Sequence, residues 1–379
     1  MKKTAFAAVA AMTAAGAAQA GGIDRSGQSI DVLFQDGNYA EISFGSVAPN
    51  VSGTVATPAG VLGSNNMSNT YWTFGAAMKH QINENLSYAI ILDQPFGADV
   101  TYDPALYPVT GSQAEFKSTA LTGILRYRMD NGFGMHGGLR VQRVSATAGI
   151  PVVGGYSVNG QDDTGTGYLA GFSYERPDIA LRVALTYHSA IKTKHRTTEA
   201  ATLPVAPGVF VPVTRYTTTE IETPQSVNLS FQTGVAKDTL VFGGVRWVDW
   251  SDFSIDPSLY RQATGNAFLS YQDDTTTYSL GVGRRLSETW SASLSMSYED
   301  GDSNTPISNL GPTSGKFGVT LGARYKNDNI SISTGVNYTW LGNATTQVPI
   351  APGPPPVLAS TQFKDNSAVG FGVKVGWHY

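Results

Sequence analysis

The chain has no cysteine. That absence excludes disulfides, thiolate metal sites and a cysteine nucleophile. Charge is scarce as well: 14% of the 379 residues are charged, against about 25% in soluble domains. The balance is mildly acidic, 25 basic residues against 29 acidic ones, which argues against a nucleic-acid partner. No stretch after the first twenty residues approaches the ~20 apolar residues that a spanning helix needs. Catalytic signatures are missing too. The five histidines (His80, His136, His188, His195 and His378) lack metal-ligand spacing. There is no G-x-S-x-G elbow. His188 and Ser189 are adjacent, so on a strand they point to opposite faces and do not pair. Gly281-Val282-Gly283 lies within a strand pattern with no helix after it, unlike a nucleotide loop. No enzyme activity, no cofactor and no metal are expected.

What the chain does have is glycine (42), tyrosine (18) and period-two alternation. Residues 371–379 read F-G-V-K-V-G-W-H-Y. Phe371, Val373, Val375, Trp377 and Tyr379 share one face of an extended strand, opposite Gly372, Lys374, Gly376 and His378. The same alternation recurs around Ala40, Ile42 and Phe44, around Trp72, Phe74 and Ala76, and around Leu181, Val183 and Leu185. Later it returns from Trp290 to Tyr298, from Phe317 to Tyr325 and from Ile330 to Trp340. These runs are near the ~9–11 residues of a tilted membrane strand. Aromatics end the apolar faces, as interfacial belts require.

The connections alternate. Tight ones fall at residues 83–85, 130–132, 176–178, 237–238, 287–288 and 327–329. Long ones fall at 50–67, 95–114, 149–163, 196–214, 254–267, 301–314 and 342–362, the last holding the proline run from Ala351 to Pro356. The expected fold is therefore all-β: a transmembrane antiparallel β-barrel of about fourteen strands. The last strand should pair with the first, which removes both sheet edges.

Residues 1–20 read as a signal peptide, with Lys2 and Lys3, an alanine-rich core and Ala18-Gln19-Ala20 as cleavage pattern. Removing it leaves 23 basic against 29 acidic residues, a net of −6. Residues 21–38 are polar apart from Val32-Leu33-Phe34 and precede the barrel of residues 39–379. Inward polar residues such as Arg126, His136, Arg140, Gln142, Arg182 and Arg324 would either line a pore or fill the lumen paired with carboxylates. The outer loops are apolar for surface loops, either as a binding surface or as a lid packed on itself.

In this order along the chain, several motifs resemble the FadL family of outer-membrane transporters for long-chain fatty acids and aromatic hydrocarbons. They are Asp93-Gln94-Pro95-Phe96-Gly97-Ala98-Asp99, Gly137-Gly138-Leu139-Arg140, Thr223-Pro224-Gln225-Ser226 with Trp247 to Phe253, and Gly318 to Tyr325 after Gly311-Pro312. The resemblance implies that residues 21–38 form a short hatch inside the lumen, although the family's Asn-Pro-Ala hatch motif is absent. It implies passive uptake of fatty acids or other hydrophobic molecules, captured at the outer loops and released sideways through the wall. Asp93, Gln94 and Pro95 would mark the lateral opening, because proline removes a ladder donor there. Phe96, Val100, Tyr102, Tyr107 and Phe210 are expected in an apolar capture groove, with Leu33 and Phe34 facing the lumen from the hatch. The expected partners are the ligand, outer-membrane lipid, and the barrel-assembly machinery engaged through Tyr379 and its strand. A general polar-solute porin and a structural or adhesive barrel are the alternatives. The first predicts a charged constriction, the second no ligand at all.

Overall fold

The structure, a computed structural model, describes residues 23–103, 107–206, 208–301, 307–351 and 357–379. The expected leader at 1–20, the first two residues of the expected hatch and the prolines of 352–356 lie outside the described residues.

Alternating side chains commit the chain to strands, and the strands form one antiparallel wall. Along the chain they are β1 (Tyr39–Asn50), β2 (Tyr71–Gln81), β3 in two pieces (Leu86–Asp93 and Gly97–Thr101), β4 (Gln113–Arg128), β5 (Phe133–Ile150) and β6 (Tyr156–Arg176). Next come β7 (Leu181–His188 and Ile191–Ala206), β8 (Val209–Thr223 and Ser226–Ala236), β9 (Thr239–Val248) and β10 (Thr275–Arg285). The wall ends with β11 (Trp290–Glu299), β12 (Lys316–Asn327), β13 (Ile330–Leu341) and β14 (Asn366–His378). The main sheet has 17 segments; three strands are each interrupted once, so among the described residues the wall has fourteen strands. β14 pairs with β1 from Tyr39 opposite His378 to Asn50 opposite Ser367, which closes the barrel.

The outer face carries an exposed apolar girdle, including Trp72, Leu121, Leu139, Phe172, Leu280 and Leu321. Water penalises such a band, and lipid matches it. Inward positions are polar at mid-barrel and apolar towards the long connections, where most of the buried core lies. The tight connections are short turns, and two of them place aspartate in the left-handed region: Asp238 at φ 60 and Asp328 at φ 40. Aspartate tolerates that conformation better than most residues.

Two of the expected long loops continue the wall as strand instead, while those at 50–67 and 342–362 form hairpins that pair in a separate four-stranded sheet. The wall at 149–163 continues through Ile150, turns at 151–155 and resumes at Tyr156; at 196–214 it runs through Ala206 and resumes at Val209. The reason is that alternation persists, at 156–159 as Tyr156 and Val158 against Ser157 and Asn159, and in β7 with polar residues on both faces. Thr193, His195, Thr197 and Glu199 point inward and are buried, while Lys192, Lys194 and Arg196 point outward and are exposed. Such a pattern can leave the apolar girdle and stay a ladder, because its outer face is wetted.

Between β9 and β10, residues 249–274 fold into a small flap. Ser254–Ile255 pairs with Leu269–Ser270 as a separate two-stranded sheet, and the helix α1 (Ser258–Thr264) lies between them.

Candidate functional site

The wall has a break at β3. β2 pairs with β3 only from Gln81 opposite Ser87 to Ala76 opposite Leu92. The outer part of β2 keeps its partner β1 but loses β3. Asp93-Gln94-Pro95 sits where the ladder stops. Pro95 has no N–H to give, and its carbonyl instead accepts the backbone N–H of Arg25 (2.8 Å) and Ser26 (3.4 Å). Gly97 donates to the carbonyl of Ile23 (2.8 Å), and Asp24 bridges Phe96 in antiparallel fashion. The start of the described chain thus covers the exposed edge of β3, an edge that otherwise offers unpaired donors and acceptors. Gln94 reaches the other side of the break, where its Oε1 accepts the N–H of Phe74 (3.0 Å). A side chain at Gly97 would occupy the place of the Arg25 guanidinium, which lies 4.0 Å over the Tyr71 ring. Glycine is required at this position so that Arg25 can fill the gap.

From the break, the segment crosses the lumen and is held by paired charges. Ser26 donates to Asp93 (2.6 Å), and Arg140 clamps the same carboxylate with 2.7 and 2.9 Å bonds. Arg246 binds Asp24 (2.6 Å) and also donates to Asn228 (2.7 Å). Arg182 binds Asp31 (3.0 Å). Arg126 pairs with Glu175 and Lys79 donates to the carbonyl of Gln35 (2.6 Å). Burying a charge is costly unless it is paired, so each partner fixes the other. Leu33 is fully buried in a small apolar cluster with Val32, Ala89 and Ile124. Phe34 lies between the guanidinium groups of Arg126 (4.7 Å) and Arg182 (4.6 Å). Of the inward polar residues read from the sequence, Arg126, Arg140 and Arg182 are matched by carboxylates.

Behind the broken strand lies an apolar chamber. Ala98 and Val100 of β3, Phe116 of β4, Ala148 of β5 and Ile221 of β8 contribute to its wall, and its open volume is about 50 Å³. Above it, among the long connections, is a cleft of about 1340 Å³ that reaches Tyr102, Val153, Leu203, Tyr260 and Tyr271. A cleft of that size exceeds the ~300–1,000 Å³ of ordinary small-molecule sites. Burial pushes the hydroxyl of Tyr107 up to about 12 and that of Tyr102 well above its ordinary value.

The expected groove residues are divided among these spaces. Val100 lines the chamber and Tyr102 the cleft. Tyr107 stacks on Tyr102 with rings 5.6 Å apart. Phe96 is buried edge-on against Trp250 at 5.7 Å and lines neither space. Phe210 is 65% exposed near the tip of the β7–β8 hairpin, so the structure does not bring it to the other aromatics. Strand geometry explains the separation, because the ladder carries Phe210 outward instead of letting a loop fold it back. Sequence reading missed Phe268, Leu269 and Leu310, which line both spaces. It also missed Glu199, which is buried on β7. The inward alternation of Thr193, His195, Thr197 and Glu199 was the available signal.

The family model for outer membrane protein transport proteins (OMPP1/FadL/TodX) matches residues 32–376. Among solved structures, a Pseudomonas aeruginosa FadL homologue superimposes with a TM-score of 0.73 at 14% identity, covering 91% of each chain. The P. putida toluene transporter TodX superimposes at 0.63 with 13% identity, again over 91% of each chain. The Ralstonia pickettii toluene transporter TbuX does so at 0.60 with 11% identity, over 91% of this chain and 90% of that one. At such identities the likeness is one of fold. No curated protein matches in sequence.

Proposed function

The chain belongs to the OMPP1/FadL/TodX family of outer-membrane transport proteins, and from that membership we propose that it carries hydrophobic small molecules inward, passively, and releases them sideways through the wall at β3. The observation that supports this reading is one of position. The apolar chamber lies directly behind the broken strand, with Ala98 and Val100 of β3 in its lining.

Entry begins at the outer cleft. A hydrophobe gains about 0.8 kcal/mol for each methylene it buries, so the apolar part of the cleft, with Val153, Leu203, Phe268 and Leu310, holds it without a charged contact. Long-chain fatty acids, alkanes and aromatic hydrocarbons all meet that demand. Two of the solved structures that share the fold are toluene transporters, which agrees with a hydrophobic cargo. From the chamber the cargo leaves past Asp93-Gln94-Pro95 into the bilayer, once the segment from Ile23 to Arg25 withdraws from the β3 edge. The segment acts as the hatch, and its hydrogen bond to Asp93 and its ion pairs to Arg246 and Arg182 hold it in place. A porin for polar solutes fits less well, because its constriction would need charges free to meet solute, and Arg126, Arg140, Arg182 and Arg246 are already paired. The last strand and Tyr379 remain the proposed contact for the barrel-assembly machinery.

The absence of native cysteine permits a direct test. Phe74→Cys with Gln94→Cys, joined by a short thiol-reactive linker, pins β2 to β3. Uptake of a fluorescent hydrophobe into vesicles or cells should fall at least tenfold and return on reduction. Unchanged uptake with the linker in place would exclude the lateral route. Loss of hydrophobe binding in the unlinked wild type would exclude the transport reading itself.

A further inference from the structure

The cleft and the chamber are divided by a partition one side chain thick. Phe268, Leu269 and Leu310 line both spaces. Two of these three residues belong to the flap between β9 and β10. Its Ile255 and Pro257 face the chamber, while its Tyr260 and Tyr271 face the cleft. The flap's two strands pair with each other and not with the barrel, so the flap can move without breaking the wall.

The chamber gives a reason for it to move. At about 50 Å³ it is smaller than the ~150 Å³ cavity that accommodates a single benzene. Cargo therefore enters only if a boundary yields, and the flap is the boundary that faces the cleft.

One buried carboxylate fixes the flap in its closed position. Glu199 of β7 has no exposed surface. Its Oε2 accepts the backbone N–H of Leu259 (2.9 Å) and Tyr260 (3.1 Å) and the hydroxyl of Tyr156 (3.0 Å). Its Oε1 accepts the hydroxyls of Ser258 and Thr217, each at 3.3 Å. Three of these donors ride on the flap. Arg215 of β8 adds a rim contact, donating to Gln262 of the flap at 2.6 Å. When the flap swings away, Glu199 keeps only the two donors of the wall, and a buried carboxylate short of donors is unfavourable. The closed state is thereby preferred until an apolar ligand offsets that loss.

We propose that the flap is the lid between the capture cleft and the chamber, and that Glu199 is the positioning residue that latches it. This rests on the transport reading, and the tests separate the two. With Ala148→Cys as a reporter on the chamber wall, the reaction rate with a small uncharged thiol reagent reports lid opening without any cargo. Adding Glu199→Gln should raise that rate at least fivefold while the barrel's melting behaviour stays unchanged; an unaltered rate overturns the latch. If Glu199→Gln does not fold, a tether decides. Arg215→Cys and Gln262→Cys joined by a reducible linker should slow loading of a fluorescent hydrophobe at least tenfold, reversibly. Loading at the wild-type rate in the tethered protein overturns the lid. A wild type that loads no hydrophobe overturns the transport reading alone, because the thiol rates still decide the lid.

Discussion

Between β14 and β1 the ladder runs from Tyr39 opposite His378 to Asn50 opposite Ser367. Between β2 and β3 it stops at Ala76 opposite Leu92. Both seams join neighbouring strands of one wall, and both rely on a glycine whose missing side chain is replaced from elsewhere. At the closure, a side chain on Gly376 would meet the phenol of Tyr39; at the break, one on Gly97 would meet the guanidinium of Arg25. The difference lies in who supplies the filler. Tyr39 belongs to the adjacent strand and is locked into the ladder. Arg25 belongs to a segment that touches the wall by a few hydrogen bonds and ion pairs, and a segment held that way can leave without unfolding the barrel. On the proposed reading one seam stays shut and the other is the one released.

Substitutions can break or sharpen that contrast. The largest effect is expected from Phe96→Ala, about 3–4 kcal/mol in denaturant titration, because Phe96 backs the break against Trp250. Gly376→Leu overpacks the closing seam and should cost about 3 kcal/mol and the heat-modifiable folded band on gels. Asp24→Ala should cost about 1.5–3 kcal/mol of segment docking, read from protease protection of the segment. A cycle with Arg246→Ala should show that most of the loss is shared. Gly97→Leu should change barrel stability by about 1 kcal/mol or less yet expel Arg25, which proteolysis of the N-terminal segment would reveal. If instead it unfolds the barrel as Gly376→Leu does, the two seams are equivalent and the contrast fails. The smallest effect belongs to Phe210→Asp, within about 0.5 kcal/mol in the same titration, since Phe210 is exposed on a hairpin.

Much of the fold was legible in advance. The apolar and polar faces of residues 371–379 announce a closing strand, and Pro95 marks the end of a ladder, because each follows from local geometry. The two hairpins at 149–163 and 196–214 were misjudged as loops. Ahead of the second, from Lys192 to Glu199, the alternation is between polar residues, and a pattern read through hydrophobicity does not see it. The site was less legible than the fold. Val100 and Tyr102 do reach the chamber and the cleft, but Phe96 turns to Trp250 and Phe210 is carried away on a strand.

The order of strand and turn, the lipid-facing girdle and the place of the break were thus determined by sequence alone, since each rests on contacts between near neighbours or on a residue's own chemistry. Only the tertiary structure decided what fills the break and what divides the cleft from the chamber. Arg25 meets Gly97, Asp24 meets Arg246, and Glu199 meets Leu259. Those partners lie far apart along the chain, and only closure of the barrel brings them within hydrogen-bond reach.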